Sequence, residues 1–165
     1  MIQAIEEFFL ERVGRELCVL FCSMLPIIEL RGAIPLGAGL GLPMWQTFAI
    51  SVVGNLLPVP FILLLIKWVL EVMKSIKPLA KIAFWLEAKA EKNRDKIERY
   101  AFWGLVLFVA VPLPGTGAWT GSLVAAVTRM RFWHSMLAVT LGVLIAGVVM
   151  SAAAYGVVAA FRFLA

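Results

Sequence analysis

Three stretches of this chain contain no charged residue: 32–66, 100–128 and 132–161. One helical crossing of a bilayer needs ~20 apolar residues, and these runs contain 35, 29 and 30. Each must therefore tilt, bend or turn back inside an apolar layer. The rest of the sequence offers no soluble alternative. With 62% hydrophobic and 15% charged residues and a mean hydropathy of +0.96, the chain lies outside the range of soluble domains, where roughly a quarter of residues are charged. The expected fold class is all-α integral membrane, one membrane domain over 1–165.

Glu6, Glu7 and Glu11 occupy the place where a cleavable signal peptide has a positive region and then a short apolar core. Met1 onward is expected to remain in the mature protein. Cys18 and Cys22 stand four apart in an apolar stretch, a spacing that suits packing better than a disulfide.

An internal repeat is visible at an offset of 88 residues. MWQTFAISVVGN (44–55) lies over FWHSMLAVTLGV (132–143), so Trp45 meets Trp133, Gln46 meets His134 and Gly54 meets Gly142; Pro26 falls on Pro114. Both halves share one order. A charged amphipathic stretch (1–16; 74–99) precedes a Pro/Gly-interrupted apolar stretch (17–41; 100–128), and a long apolar helix (44–66; 132–161) follows. The expected repeats are 1–73 and 74–165. Repeats built from broken elements are a transporter pattern.

Charge sets the expected orientation. Segment 67–99 carries nine Lys/Arg against five acids, which the positive-inside rule assigns to the cytoplasm, at the inner membrane. Arg129 and Arg131 are expected on the same side. Both ends of 100–128 then face the cytoplasm, so that stretch enters and returns as a re-entrant hairpin turning at PLPGTG (112–117). By the same logic 44–66 runs from outside to inside, and 17–41 is a second hairpin entering from outside. The two halves are then inverted copies. The alternative is four conventional spans with the same central loop. Residues 77–99 suit an amphipathic helix lying on anionic lipid, and topology already explains their charge without nucleic acid.

Ionisable groups at membrane depth cost about 2.5–3.5 kcal/mol each on insertion scales and usually mark a transport path. Glu29 and Arg31, in ELRGAIP (29–35), are such a pair. Two residues apart, they splay around a helix but share one side of an extended segment. Gly32 loosens the backbone there and Pro35 biases Ile34 away from helix, so an extended tip is expected to aim both charges at one cavity. The runs GAGLG (37–41) and GTGAWTG (115–121) place flexible backbone near the turns, with the Thr116 and Thr120 hydroxyls. Helices restarting after these turns point free N–H groups inward, which together with Arg31 favours an anionic group. The bland readings are that Glu29 and Arg31 form a structural clasp and that Gly117 and Gly121 are a helix-packing GxxxG.

Asn55, Pro58 and Pro60 are further candidates for a kink that exposes carbonyls. His134 reads as an interfacial anchor beside Arg131 and Trp133. There is no phosphate loop, no HExxH and no Cys/His metal spacing. A single histidine limits triad-type catalysis. No enzymatic activity, metal or cofactor is expected.

ELRGAIP (29–35) and PLPGTGAWTG (112–121) together resemble the small multidrug export family, a distant relative of the DedA (VTT-domain) membrane proteins, over nearly the whole chain. The resemblance implies an inverted-repeat transporter with two re-entrant hairpins, dependence on the proton-motive force and handling of polyprenyl-phosphate lipids. It carries Glu29 and Arg31 over as the acidic and basic positions. Segment 112–121 is uncharged here, where DedA proteins look richer in arginine.

The expected function is a proton-coupled secondary transporter of an amphiphilic anion such as a polyprenyl phosphate. Arg31 pairs with the phosphate, Gly115, Thr116, Gly117 and Thr120 line the head-group site, and Glu29 exchanges the proton. Gly32, Pro35, Pro112 and Pro114 shape the hairpin turns. The alternatives are export of lipophilic cations and a non-transporting membrane scaffold. A chain this short has little protein to cover its hairpins, so a homodimer is expected.

Overall fold

A computed structural model of the protein describes residues 14–65, 94–113, 115–128 and 130–164. The amphipathic segments 1–13 and 77–93, Pro114 and Arg129 lie outside the described residues, and with them most of the expected interfacial helix. Every described element is helical: α1 (14–24), α2 (Glu29–Gly39), α3 (Met44–Leu56), α4 (59–65), α5 (Arg94–Ala110), α6 (Ala118–Val127) and α7 (Phe132–Leu164).

Two helical stretches are long and apolar enough to cross a membrane: Met44–Leu65, with 22 residues, and Phe132–Ala160, with 29. The regular helix of the first is interrupted at Leu57 and Pro58, because a proline inside a helix lacks the amide hydrogen and crowds the preceding turn. Helix α2 has 11 residues and α6 has 10, lengths of about 16 and 15 Å at 1.5 Å per residue. That is half of a ~30 Å hydrocarbon layer.

The chain divides into two compact units. The first holds Met1–Leu57 and Val143–Ala165. In it, α1 pairs alongside α3: Arg15 donates to the Leu40 carbonyl at 3.2 Å, Glu16 accepts from Gln46, and Leu20 and Ser23 lie against Gly54. Val19, Ala33 and Leu42 form a dry cluster into which Cys22 packs, while Cys18 faces outward. The C-terminal part of α7 runs antiparallel to α3, with Gly147 against Phe48 and Val52, and Tyr155 bonded to Thr47.

The second unit is Pro58–Gly142. Helix α5 folds back on α6 through residues 111–117, with Gly121 against Leu105 and Val109. The start of α7 lies along α5, placing His134 edge-on to Phe102 with ring centroids 6.5 Å apart, and Gly142 against Val106 and Val109. The sequence places a boundary at 99/100, but α5 runs from Arg94 through it to Ala110. Nothing at that point breaks a helix; only the charge stops.

The same local structure recurs 88 residues on. Leu42 N–H donates to the Gly37 carbonyl at 3.0 Å, and Met130 N–H to Ala125 at 3.0 Å. The pairs Leu40 to Leu36 and Thr47 to Pro43 likewise map onto Thr128 to Val124 and Ser135 to Arg131. Helices α3 and α7 start at Met44 and Phe132, 88 apart, each with a Trp second in line and 75% exposed. Exposed Trp at a helix end is the usual membrane-interface anchor.

Large apolar side chains lie outside as well as inside. Phe21, Phe61, Leu64, Leu137 and Val148 point outward, while Ser23, Glu29, Thr47, Ser51, Asn55, Ser122 and Ser135 are buried. An apolar exterior around a polar-dotted interior is what a lipid solvent selects.

Candidate functional site

The turn that the sequence puts at 29–35 falls four residues earlier, at 25–28. ELRGAIP is therefore not extended: α2 begins at Glu29 and contains Arg31, Gly32 and Pro35. The bias of Ile34 away from helix is overruled by its complete burial and that of Ala33, since packing outweighs a local backbone preference. Gly32 has a packing role in this arrangement. A Cβ there would stand 2.5 Å from Ile28 Cγ2, so any larger residue requires the Ile28 side chain to shift. Pro35 is exposed on the side of α2.

The two charges still meet, by a different route. Glu29 takes φ +50°, the left-handed region that non-glycine residues rarely enter. This swings its carboxylate back toward Arg31, and Oε2 lies 3.4 Å from Nη1. Its N–H donates to the Leu25 carbonyl at 2.9 Å, closing the turn. Glu29 is 4% exposed. It also stands at the helix N-terminus, where a carboxylate is favoured by the aligned peptide dipoles. Arg31 has the opposite charge at that same end, and its ion pair with Glu29 offsets the unfavourable dipole. The arginine side chain is the more open of the two, at 16% against 6%.

The second group of expected residues lies in the other unit. Gly115 has φ +82°, so the turn before α6 needs a residue without a Cβ there. The Thr116 hydroxyl donates inward, 2.9 Å from the Val111 carbonyl and 3.0 Å from that of Leu113. It thus braces the turn. Gly117 is buried as the residue before α6, and Thr120 is half-buried in its first turn. Pro112 is exposed in the loop. Glu29, Arg31, Gly32 and Pro35 belong to the first unit, and Pro112, Gly115, Thr116, Gly117 and Thr120 to the second.

Some structure-bearing polar residues stand outside both motifs. Thr47, Ser51 and Asn55 repeat every fourth residue along α3 and are fully buried; on α7 Ser151 is buried and Tyr155, four residues on, is partly buried. The signal was present as T-x-x-x-S-x-x-x-N in an otherwise apolar helix, a spacing that puts three polar groups on one face. Among the described residues, no group of three His, Cys, Asp or Glu side chains is placed to hold a metal ion.

A protein-family model described as "Putative small multi-drug export protein" matches residues 29–149. The match begins at Glu29, directly after the 25–28 turn, includes the turn at 111–117 and ends within α7. The chain belongs to the small multi-drug export protein family. Membership and the two apolar helices place this family member in a membrane, and its family name carries a transporter-like role. No curated protein and no solved structure matches the chain.

Proposed function

We propose that this protein is a secondary transporter that moves an amphiphilic anion, its head group bound at Arg31 and its cycle driven by protonation of Glu29. The observation that carries it is the buried Glu29–Arg31 pair, held at the start of α2 by a strained left-handed residue. Such strain persists only where surroundings enforce it and clusters at functional sites. A clasp between two helix positions needs no such backbone.

Exposure supports an anionic substrate. Arg31 is the open member of the pair and Glu29 the covered one, so an arriving head group meets the guanidinium first. A guanidinium recognises phosphate through paired N–H bonds. When Arg31 turns to the substrate, Glu29 loses its counter-charge and is best accommodated neutral, which takes up one proton. A polyprenyl phosphate has the required phosphate and apolar tail.

The short α2 and α6, each half the length of a crossing helix, support α1–α2 and α5–α6 as re-entrant hairpins. The 88-residue recurrence of hydrogen bonds supports a repeat, and the basic segment 67–99 supports an inverted orientation with that segment cytoplasmic in the inner membrane. The apolar outer faces of such short hairpins favour a homodimer. The proposal assigns the protein no enzymatic step.

A second reading, export of lipophilic cations, is favoured by the family description. In it Glu29 alternates between proton and drug, with Arg31 opposing the cation. Native mass spectrometry of the purified protein with undecaprenyl phosphate, its neutral alcohol and tetraphenylphosphonium separates the two. Retention of the phosphate alone, abolished in Arg31→Ala, is the expected result. Retention of tetraphenylphosphonium, unchanged or stronger in Arg31→Ala, replaces the anion with the cation.

A further inference from the structure

Helix α3 carries Thr47, Ser51 and Asn55 on one face, all completely buried. The Tyr155 hydroxyl lies 2.7 Å from Thr47 Oγ1, which fixes the antiparallel register of α3 and α7. Gly147 lies against Phe48 and Val52, and Tyr155 also reaches the Leu42 carbonyl, so Ser151 stands near the level of Thr47, about one helical turn from Ser51. Ser51 Oγ, Ser151 Oγ and both polar atoms of Asn55 have no hydrogen-bond partner among the described residues. Buried polar groups are paired in the great majority of cases, and a lipid surround offers them nothing.

The fold does not require polarity at these positions. Eighty-eight residues on, Ser51 and Asn55 are matched by Val139 and Val143, both fully buried. Valine packs there without difficulty, so the serine and asparagine answer to something other than packing.

The atoms also specify their occupant. A cation suits Asn55 Oδ1 but is repelled by the Nδ2 donors beside it, and an anion fails the other way. Hydroxyls at 51 and 151 both donate and accept. Water matches a mixed set of donors and acceptors, and buried water bridges such groups with two to four bonds each.

The seam leads somewhere specific. Gly37 on α2 lies against Thr47. From that contact, eight residues back along α2 and eight forward along α3 each cover about 12 Å in the same direction. Those steps end at Glu29 and Asn55. At the other end Tyr155 bonds the Leu42 carbonyl beside the Glu16–Gln46 pair, and Glu16 is partly exposed.

The geometry points to a water-filled track along Thr47, Ser51, Ser151 and Asn55 that carries protons between the Tyr155 end of the unit and Glu29. The delivery role rests on the reading of Glu29 as the proton-exchanging carboxylate; the water site itself does not. In the uptake step one O–H bond forms on Glu29 as one breaks on the adjacent water. That water regains its proton from the next, and the chain is refilled from the aqueous end. Release runs the same transfers in reverse.

Hydroxyl-radical footprinting by brief X-ray exposure, on protein in liposomes, reads internal water directly. Val52 beside the seam is expected to oxidise faster than Val19 in the dry cluster, and the contrast is expected to vanish in Ser51→Ala/Ser151→Ala and in Asn55→Leu. Equal oxidation of Val52 and Val19 in the parent overturns the water site. The delivery role is read by transport driven by a pH gradient, using whichever of undecaprenyl phosphate and tetraphenylphosphonium the parent binds. The variants should lose gradient-driven uptake and keep exchange at equal pH; unchanged gradient drive in a variant that has lost Val52 oxidation overturns delivery. Gradient drive that survives Glu29→Gln removes Glu29 as the proton site, and footprinting then still decides the water site alone.

Discussion

The Tyr155 hydroxyl bonds Thr47 across 108 residues of sequence, 2.7 Å from its Oγ1 and 2.7 Å from the Leu42 carbonyl. The phenol has one hydrogen and a carbonyl only accepts, so Tyr155 donates to Leu42 and Thr47 donates to Tyr155. The bond ties the end of the long C-terminal helix to the turn between α2 and α3.

Tyr155→Phe leaves a carbonyl and a buried hydroxyl without their partner. It is expected to lower stability by about 1–3 kcal/mol. Thermal unfolding in detergent measures this, and an unchanged midpoint would show the bond to be incidental.

Gly54→Ala and Gly142→Ala are expected to destabilise the protein by about 1–3 kcal/mol through overpacking. At Gly54 a Cβ meets the Leu20 carbonyl at 2.8 Å and at Gly142 the Val106 carbonyl at 2.9 Å, backbone atoms that cannot step aside. Gly39, with nothing within 4 Å of its Cβ, provides the control. Gly39→Ala should match or exceed the parent, because alanine favours a helix by about 1 kcal/mol. Equal behaviour of the three alanine variants would contradict the close helix approach.

Glu29→Gln and Arg31→Gln each remove one member of the ion pair, and removing one partner of a buried pair destabilises by about 3–5 kcal/mol. The double variant should regain much of that stability. Its binding of undecaprenyl phosphate should remain lost, measured by native mass spectrometry at matched folded concentration. Recovery of both stability and binding would reduce the pair to a structural clasp.

Gly115→Ala forces a Cβ into a left-handed residue and is expected to cost about 1–2 kcal/mol. Thr116→Val removes the hydroxyl that braces the same turn, for a further loss of about 1 kcal/mol. Both should lower the unfolding midpoint. Substrate affinity that falls in Thr116→Val with no stability change would instead put the hydroxyl in contact with the ligand.

The purified protein should have twice the mass of the 18.1 kDa chain in detergent and in nanodiscs. Leu17 and Phe21 on α1 and Leu123 and Val124 on α6 are exposed, apolar surface that a partner copy would cover. A monodisperse, fully active monomer would remove the homodimer from the proposal.

The sequence located the helices well and the turns less well. Long charge-free runs left no choice but helix, because a lipid interior demands that backbone hydrogen bonds be made within the segment. Backbone bonds beside the starts of α3 and α7 match at the same offset of 88 residues, from Leu42 to Gly37 and from Met130 to Ala125. The turn before Glu29 was misplaced because Gly32 and Pro35 look like breakers when read locally. Gly32 instead makes room for Ile28, and Pro35 is tolerated in a helix whose buried side, Ala33 and Ile34, holds it in register.

Composition and charge spacing by themselves determined that this chain is an all-helical membrane protein with one ionisable pair at its first turn, because the transfer of charge and bare backbone into lipid is costly wherever the chain folds. Tertiary structure alone decided how that pair is presented. Only the packed turn shows Glu29 covered, left-handed and closed onto a more open Arg31. Only the pairing of α3 with α7 turns Thr47, Ser51, Asn55, Ser151 and Tyr155 from scattered polar residues into one seam. Their meeting depends on a register set by contacts about a hundred residues apart, which no local pattern encodes.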